Sequence, residues 1–194
     1  MIRLMIAVVS LTVLSAVSTA AEEKPLFQTT KDEIIKELTR PVSRTRGFIP
    51  QGKTRNIVVY EKKNTETIEK IVVVSSNDNT PKVNLKIEFN FNSYRIRPES
   101  YSLLRELGKA LAAENISRRN IAIKGHTDSD GTERYNLGLS LNRALSVKQY
   151  LTANFNISPG KLKIFGYGEA MPLVSNTTAA NKQINRRVEI QLEK

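Results

Sequence analysis

An α+β fold, a two-layer sandwich whose mixed sheet carries its helices on one face, is predicted by three observations on the stretch from Lys82 to Lys194. Short apolar runs there alternate with polar residues at the two-residue period of half-buried strands. Longer segments between them place leucines at the three-to-four-residue spacing of amphipathic helices. The segments interleave in the order β-α-β-α-β-(α)-β, which suits one sheet covered on one side.

Leu85, Ile87, Phe89 and Phe91 alternate with Lys86, Glu88 and Asn90, which predicts the first strand of this part. Pro98 suits the first residue of a helix, because its missing N–H would be unpaired there in any case, and Leu103, Leu104, Leu107 and Leu111 follow on one side. Ile121 and Ile123 mark a second strand ending at Gly125-His126, and Asn136 to Asn154 reads as a second helix. Leu162 to Phe165 gives a third strand, a short helical turn is expected near Thr177 to Asn181, and Val188, Ile190 and Leu192 alternate in the last strand.

The residues before this part read less clearly. Thr30 followed by Glu33, just ahead of Ile34-Ile35 and Leu38, is a capping-box start for a short helix that should stop near Arg40-Pro41. Arg44 to Arg55 reads as basic loop, and the β-branched runs Ile57 to Tyr60 and Ile71 to Val74 suit a pair of strands. A membrane barrel needs at least about eight strands, for which there is no room. At the start, Met1-Ile2-Arg3 precedes the uncharged stretch Leu4 to Ala21, with small residues at Ser18-Thr19-Ala20, the pattern of a cleaved secretory signal. The competing reading of Leu4 to Ala21 is an uncleaved anchor, against which its serines and threonines count. The expected organisation is therefore a signal peptide over 1–20, a region of unknown function with a polar linker over 21–81, and one domain over 82–194.

Composition narrows the function classes. The chain has no cysteine, which excludes disulfide frameworks, thiolate zinc sites, a thiol nucleophile and a cysteine-borne lipid anchor. Its 30 Lys+Arg against 19 Asp+Glu give a net charge of +11. Export makes nucleic acid an unexpected partner for that charge and points to anionic polymers of the cell envelope instead. Asp128-Ser129-Asp130-Gly131 has the acidic residues of a calcium loop, but its glycine comes too early and no glutamate stands at the twelfth position. Neither a metal nor a cofactor is expected. A hydrolase would need paired carboxylates or a nucleophile with its base, and a single histidine leaves few ways to build one.

The second helix carries the chemistry. At 100° per residue, with Asn136 at zero, Ser140 falls at ~40°, Arg143 at ~340°, Leu139 at ~300°, Val147 at ~20° and Leu151 at ~60°. This stripe begins polar and ends apolar, so its first half should face hydrogen-bonding groups and its second half the core. An arginine on an inward face needs an anion, and the nearest in sequence are Asp128 and Asp130. Read from spacing alone, Asp128 and Arg143 serve equally as an internal ion pair.

Gly125-His126-Thr127-Asp128, then Asn136-x-x-Leu139-Ser140-x-x-Arg143-Ala144-x-x-Val147-x-x-x-Leu151, and later Asn185-Arg186-Arg187-Val188, closely resemble the peptidoglycan-binding domain of the outer-membrane protein A C-terminal family. That family includes peptidoglycan-associated lipoproteins and flagellar stator proteins. The resemblance spans roughly Lys82 to Lys194. It implies non-covalent capture of diaminopimelate in the peptidoglycan stem peptide, tethering an envelope component to the wall without catalysis. Asp128 matches the family aspartate that takes the ammonium, and Arg143 the arginine that takes the carboxylate. Thr127, Asn136 and Leu139 match positions lining the same pocket. Asn92-Ser93-Tyr94 corresponds to a loop where the family more often has an aspartate, so Ser93 and Tyr94 are further candidates. Arg186 and Arg187 stand before the last strand, either could approach the pocket, and Arg187 is the further candidate. Residues 22–81 would then engage an outer-membrane or other envelope protein, with the chain in the periplasm at the outer membrane and wall. If Leu4 to Ala21 is kept, the alternative is an inner-membrane-anchored wall binder of the stator type.

Overall fold

The computed structural model describes residues 26–42, 54–75 and 80–193. The export segment, most of the basic stretch Arg44 to Arg55 and the middle of the linker lie outside these residues. No helix among the described residues is long and apolar enough to cross a membrane.

Six strands form one mixed sheet. They are β1 (Thr54–Lys63), β2 (Glu66–Ser75), β3 (Lys82–Leu85), β4 (Ile121–Gly125), β5 (Leu162–Gly166) and β6 (Val188–Leu192), in the spatial order β2-β1-β5-β4-β6-β3. Only β4 and β5 run parallel; every other neighbouring pair is antiparallel. A parallel pair needs a crossover, and α4 (Glu133–Asn154) supplies it. Residues of one parity, Ile121 and Ile123, Leu162 and Ile164, Val188 and Ile190, join the main core with Leu104, Leu107 and Leu111 of α2 (Tyr101–Leu111). Ala144, Val147 and Leu151 close that core from α4, as the apolar half of the stripe requires.

Two glycines set how closely α4 approaches the sheet. A Cβ on Gly125 would lie 2.0 Å from the carbonyl oxygen of Ser140, and one on Gly166 would lie 2.4 Å from that of Leu137. At the ends of β4 and β5 the helix backbone therefore rests directly on strand backbone, which any larger residue would prevent.

Several elements depart from expectation. The strand beginning at Lys82 ends at Leu85; Ile87 stays buried, but Phe89 only bridges to Ile96 and Phe91 is 92% exposed. The chain instead doubles back there, with Asn90 N–H donating to Arg95 O at 3.0 Å and Asn92 in the left-handed region at φ 47°. Pro98 opens a 3-10 turn, Pro98–Ser100, before α2 begins. A further short helix, α3 (Glu114–Ser117), follows α2, and the expected helical turn is α5 (Ala179–Asn185). Helix α4 starts at Glu133, capped by Thr132 Oγ1, which accepts from Tyr135 N–H. Asn136 is therefore inside the first turns of the helix.

The first part of the chain packs onto the second. Helix α1 (Lys31–Leu38) has the expected capping box between Thr30 and Glu33, and its Ile34 and Leu38 enter the main core. Strands β1 and β2 pair as expected, and β1 also joins β5 through Tyr60 to Lys62. Described residues on both sides of position 81 thus share one sheet and one core.

Candidate ligand-binding site

Where the polar half of the α4 stripe meets the loop after β4, the structure has a cleft of about 310 Å³. Thr127, Asp128 and Asp130 form one wall, and Tyr135, Asn136, Leu139 and Arg143 of α4 a second. Glu88 to Asn92 and Arg97 supply a third, with Gln183 and Arg186 of the α5 segment completing the rim.

Backbone bonds hold the first wall in place. Thr127 N–H donates to Gly168 O at 2.9 Å, and the Asn136 Nδ2 amide donates to Asp128 O at 3.3 Å and to Glu169 Oε2 at 2.6 Å. Ser140 Oγ accepts from Gly168 N–H at 2.9 Å, which ties the loop after β5 to the same helix. Asn136 and Ser140 thus act partly as struts, which their burial on the sheet side of α4 allows.

Asp128 is buried, and both its oxygens are engaged. One accepts from Asp130 N–H at 3.1 Å, and the other pairs with the Arg186 guanidinium. Arg186 also donates to Gln183 Oε1, while Gln183 Nε2 donates to both Glu88 oxygens at 2.9 and 3.1 Å. A chain of polar groups thus crosses the cleft rim from Asp128 to Glu88.

Arg143 stands differently. It is only 7% exposed, its Nε donates to Ser93 O at 3.1 Å, and its guanidinium lies 5.0 Å over the Phe89 ring. Among the described residues no carboxylate stands within ion-pairing distance of it, and its two terminal nitrogens make no hydrogen bond. Burial lowers its pKa and the nearby Arg186 adds to that, against a smaller opposing effect of Asp128. The internal Asp128–Arg143 ion pair is not what forms, because Arg186 takes the aspartate.

Of the residues singled out in the sequence, Asp128, Arg143, Asn136, Thr127 and Leu139 come together in this cleft. Ser93 contributes its carbonyl to Arg143, and Tyr94 is exposed beyond the lining. Arg187 turns the other way. It donates to Asn84 Oδ1 at 3.0 Å and Met171 O at 3.0 Å, and burial pushes its pKa down to about 10. The arginine at the cleft is Arg186, the residue that ends α5 two positions before β6 begins, and no local pattern separates it from Arg187. Glu88 and Gln183 had no local signal either, being 95 residues apart in the chain. His126 is a packing residue, buried against Tyr167 with ring centroids 5.3 Å apart and both nitrogens unbonded.

A cleft lined by a largely buried guanidinium, whose terminal nitrogens have no protein hydrogen-bond partner, beside a carboxylate suits a ligand that carries an anion and a cation close together. The chain is 34% identical over 112 residues to outer membrane porin F of Pseudomonas aeruginosa, covering 58% of this chain and 31% of that protein. It is 32% identical over 103 residues to the peptidoglycan-associated lipoprotein of Pseudomonas putida, covering 53% and 60%. It therefore spans less than two thirds of the length of either relative. Among solved structures, a putative MotB-like protein from Desulfovibrio vulgaris matches with a TM-score of 0.50 and 28% identity, over 58% of this chain and 72% of that one. The sequence profile of the OmpA family matches residues 88–186, which is just over half of the chain and takes in every wall of the cleft, and the chain belongs to that family.

Proposed function

We propose that the chain binds peptidoglycan non-covalently through diaminopimelate and so tethers an envelope component to the cell wall from the periplasm. Diaminopimelate presents an ammonium and a carboxylate on one carbon. Arg143 receives the carboxylate through its two free terminal nitrogens, and Asp128 receives the ammonium, a carboxylate having lone pairs to spare beyond its two present bonds. Thr127, Asn136 and Leu139 line the space between. The observation that carries this reading is the guanidinium of Arg143, desolvated yet without a carboxylate among the described residues. A buried cation of that kind is costly unless something anionic completes it. The name of the lipoprotein relative, peptidoglycan-associated, supports the same reading. Binding of this kind requires no catalysis, and the outer face of residues 22–81, whose inner side joins the core and the sheet, engages an outer-membrane or other envelope protein.

The test is calorimetry with matched muropeptides bearing diaminopimelate or lysine at the same position. Lysine keeps the ammonium but lacks the neighbouring carboxylate, so Arg143 stays unpaired in that complex. A lost charge-assisted bond of ~1.5–3 kcal/mol corresponds to roughly 10–150-fold weaker binding. Equal affinity for the two would overturn the assignment of Arg143.

The likeness to a MotB-like structure favours a second reading, a wall binder anchored in the inner membrane. N-terminal sequencing separates the two: a mature start near Ala21 supports the first, and an intact Met1 in the membrane fraction the second.

A further inference from the structure

Strand β2 is the outer edge of the sheet, ten residues long, and it carries two isoleucines that the described residues leave largely uncovered: Ile71 at 68% and Ile68 at 41% exposure. Edges of this length are ordinarily blunted by charge, proline or a covering element. Here the charges on β2 are Glu66, Glu69 and Lys70, all in its first half, and Lys70 is drawn back onto Glu61 of β1 at 3.3 Å. We propose that this edge pairs antiparallel with β2 of a second copy, about a two-fold axis at Ile71, joining two sheets into one of twelve strands.

The pairing of the hairpin sets which groups are available. Lys63 and Glu66 flank a two-residue turn, so they form a hydrogen-bonded pair, and the even-numbered residues of β2 bond to β1. The odd-numbered ones, Ile71 among them, direct N–H and C=O outward. An axis normal to the sheet places some residue opposite its own copy, and the charges decide which. With Glu69 or Lys70 on the axis, like charges face each other directly, which is destabilising. With Ile68 on the axis, Ile71 falls opposite Thr65 in the turn of the second copy; with Val72 there, Ile68 falls opposite Ser76. With Ile71 on the axis, Ile71 meets Ile71 and Ile68 meets Val74, while Lys70 faces Val72 and no charge faces its like. That register alone gives both exposed isoleucines apolar partners.

The absence of cysteine makes the test clean, because a single introduced thiol can pair only with its copy. In the proposed register the two Ile71 Cα atoms stand ~5.5 Å apart, within disulfide reach. The two Glu69 Cα atoms are about 14 Å apart. Ile71→Cys in the full chain, purified from the envelope and treated with a mild oxidant, should give a covalent dimer, and Glu69→Cys should not. Sedimentation should show a concentration-dependent dimer, with Ile71→Lys raising the dissociation constant at least about tenfold and leaving the circular dichroism unchanged. A monomer at every concentration, a dimer that survives Ile71→Lys, or a thiol at 69 that cross-links as readily as one at 71 would each overturn the proposal. None of these readouts involves the wall-binding cleft.

Discussion

A guanidinium held against a phenylalanine ring and a single carbonyl is an expensive arrangement, and Arg143 contributes little to the fold in return. Replacing it by alanine forfeits one hydrogen bond, worth about 1 kcal/mol net, and relieves the desolvation of a charge. Arg143→Ala is therefore expected to keep its melting temperature within a few degrees of the parent while losing most binding to purified sacculi in a pull-down. Asp130→Ala should bind as the parent does, since Asp130 meets Lys182 at the exposed rim, 2.6 Å away. Unfolding of Arg143→Ala would instead show that this arginine is structural.

At the scale of elements, the closeness of α4 to the sheet separates two glycines that look alike in sequence. Gly125→Ala would push a methyl into the Ser140 carbonyl, and overpacking of this kind costs roughly 1–3 kcal/mol. Gly138 lies within α4 with nothing within 4 Å of its missing Cβ, so Gly138→Ala should stabilise by up to about 1 kcal/mol through helix propensity. Thermal unfolding of the two variants should therefore shift in opposite directions. The elements themselves were largely legible: periodicity located α2, α4 and strands β4 to β6, and a capping box located α1. What stayed hidden was long-range. Nothing local in Tyr60 to Lys62 announces pairing with β5 more than a hundred residues later, and the alternation through Phe91 reads as strand although the chain turns back to build a cleft wall. At the site, fixed spacing on one helix brought out Arg143, and Asp128 followed from its place in the loop just before that helix and from the family resemblance. The Arg186 partner and the Glu88–Gln183 contact arise only once the sheet has formed.

For the molecule as a whole, His126 couples stability to pH. It is buried, neither ring nitrogen has a partner, and burial first, then the charges of Arg187, Lys124 and Lys82, lower its pKa well below the ordinary value of 6.5. A base whose folded pKa lies below its unfolded one is neutral in the fold, so its stabilising share is complete above about pH 6.5 and falls as the pH drops. The loss approaches ~1.4 kcal/mol per pH unit until the folded pKa is reached. Urea unfolding between pH 7 and 5 should show that decline, and His126→Phe, which keeps a ring against Tyr167 without a titrating nitrogen, should flatten it.

The direct seating of α4 on the ends of β4 and β5 has a kinetic consequence. Asp128 and Arg143 are carried by segments that cannot shift without separating backbone from backbone at Gly125 and Gly166. Encounter with the ligand then requires no prior rearrangement of the cleft floor beyond a side-chain exchange at the half-buried Arg186. If the cleft takes the proposed ligand, the association rate is accordingly expected to rise in proportion to ligand concentration without a plateau, with differences in affinity between related ligands residing in how fast they leave; stopped-flow mixing checks this.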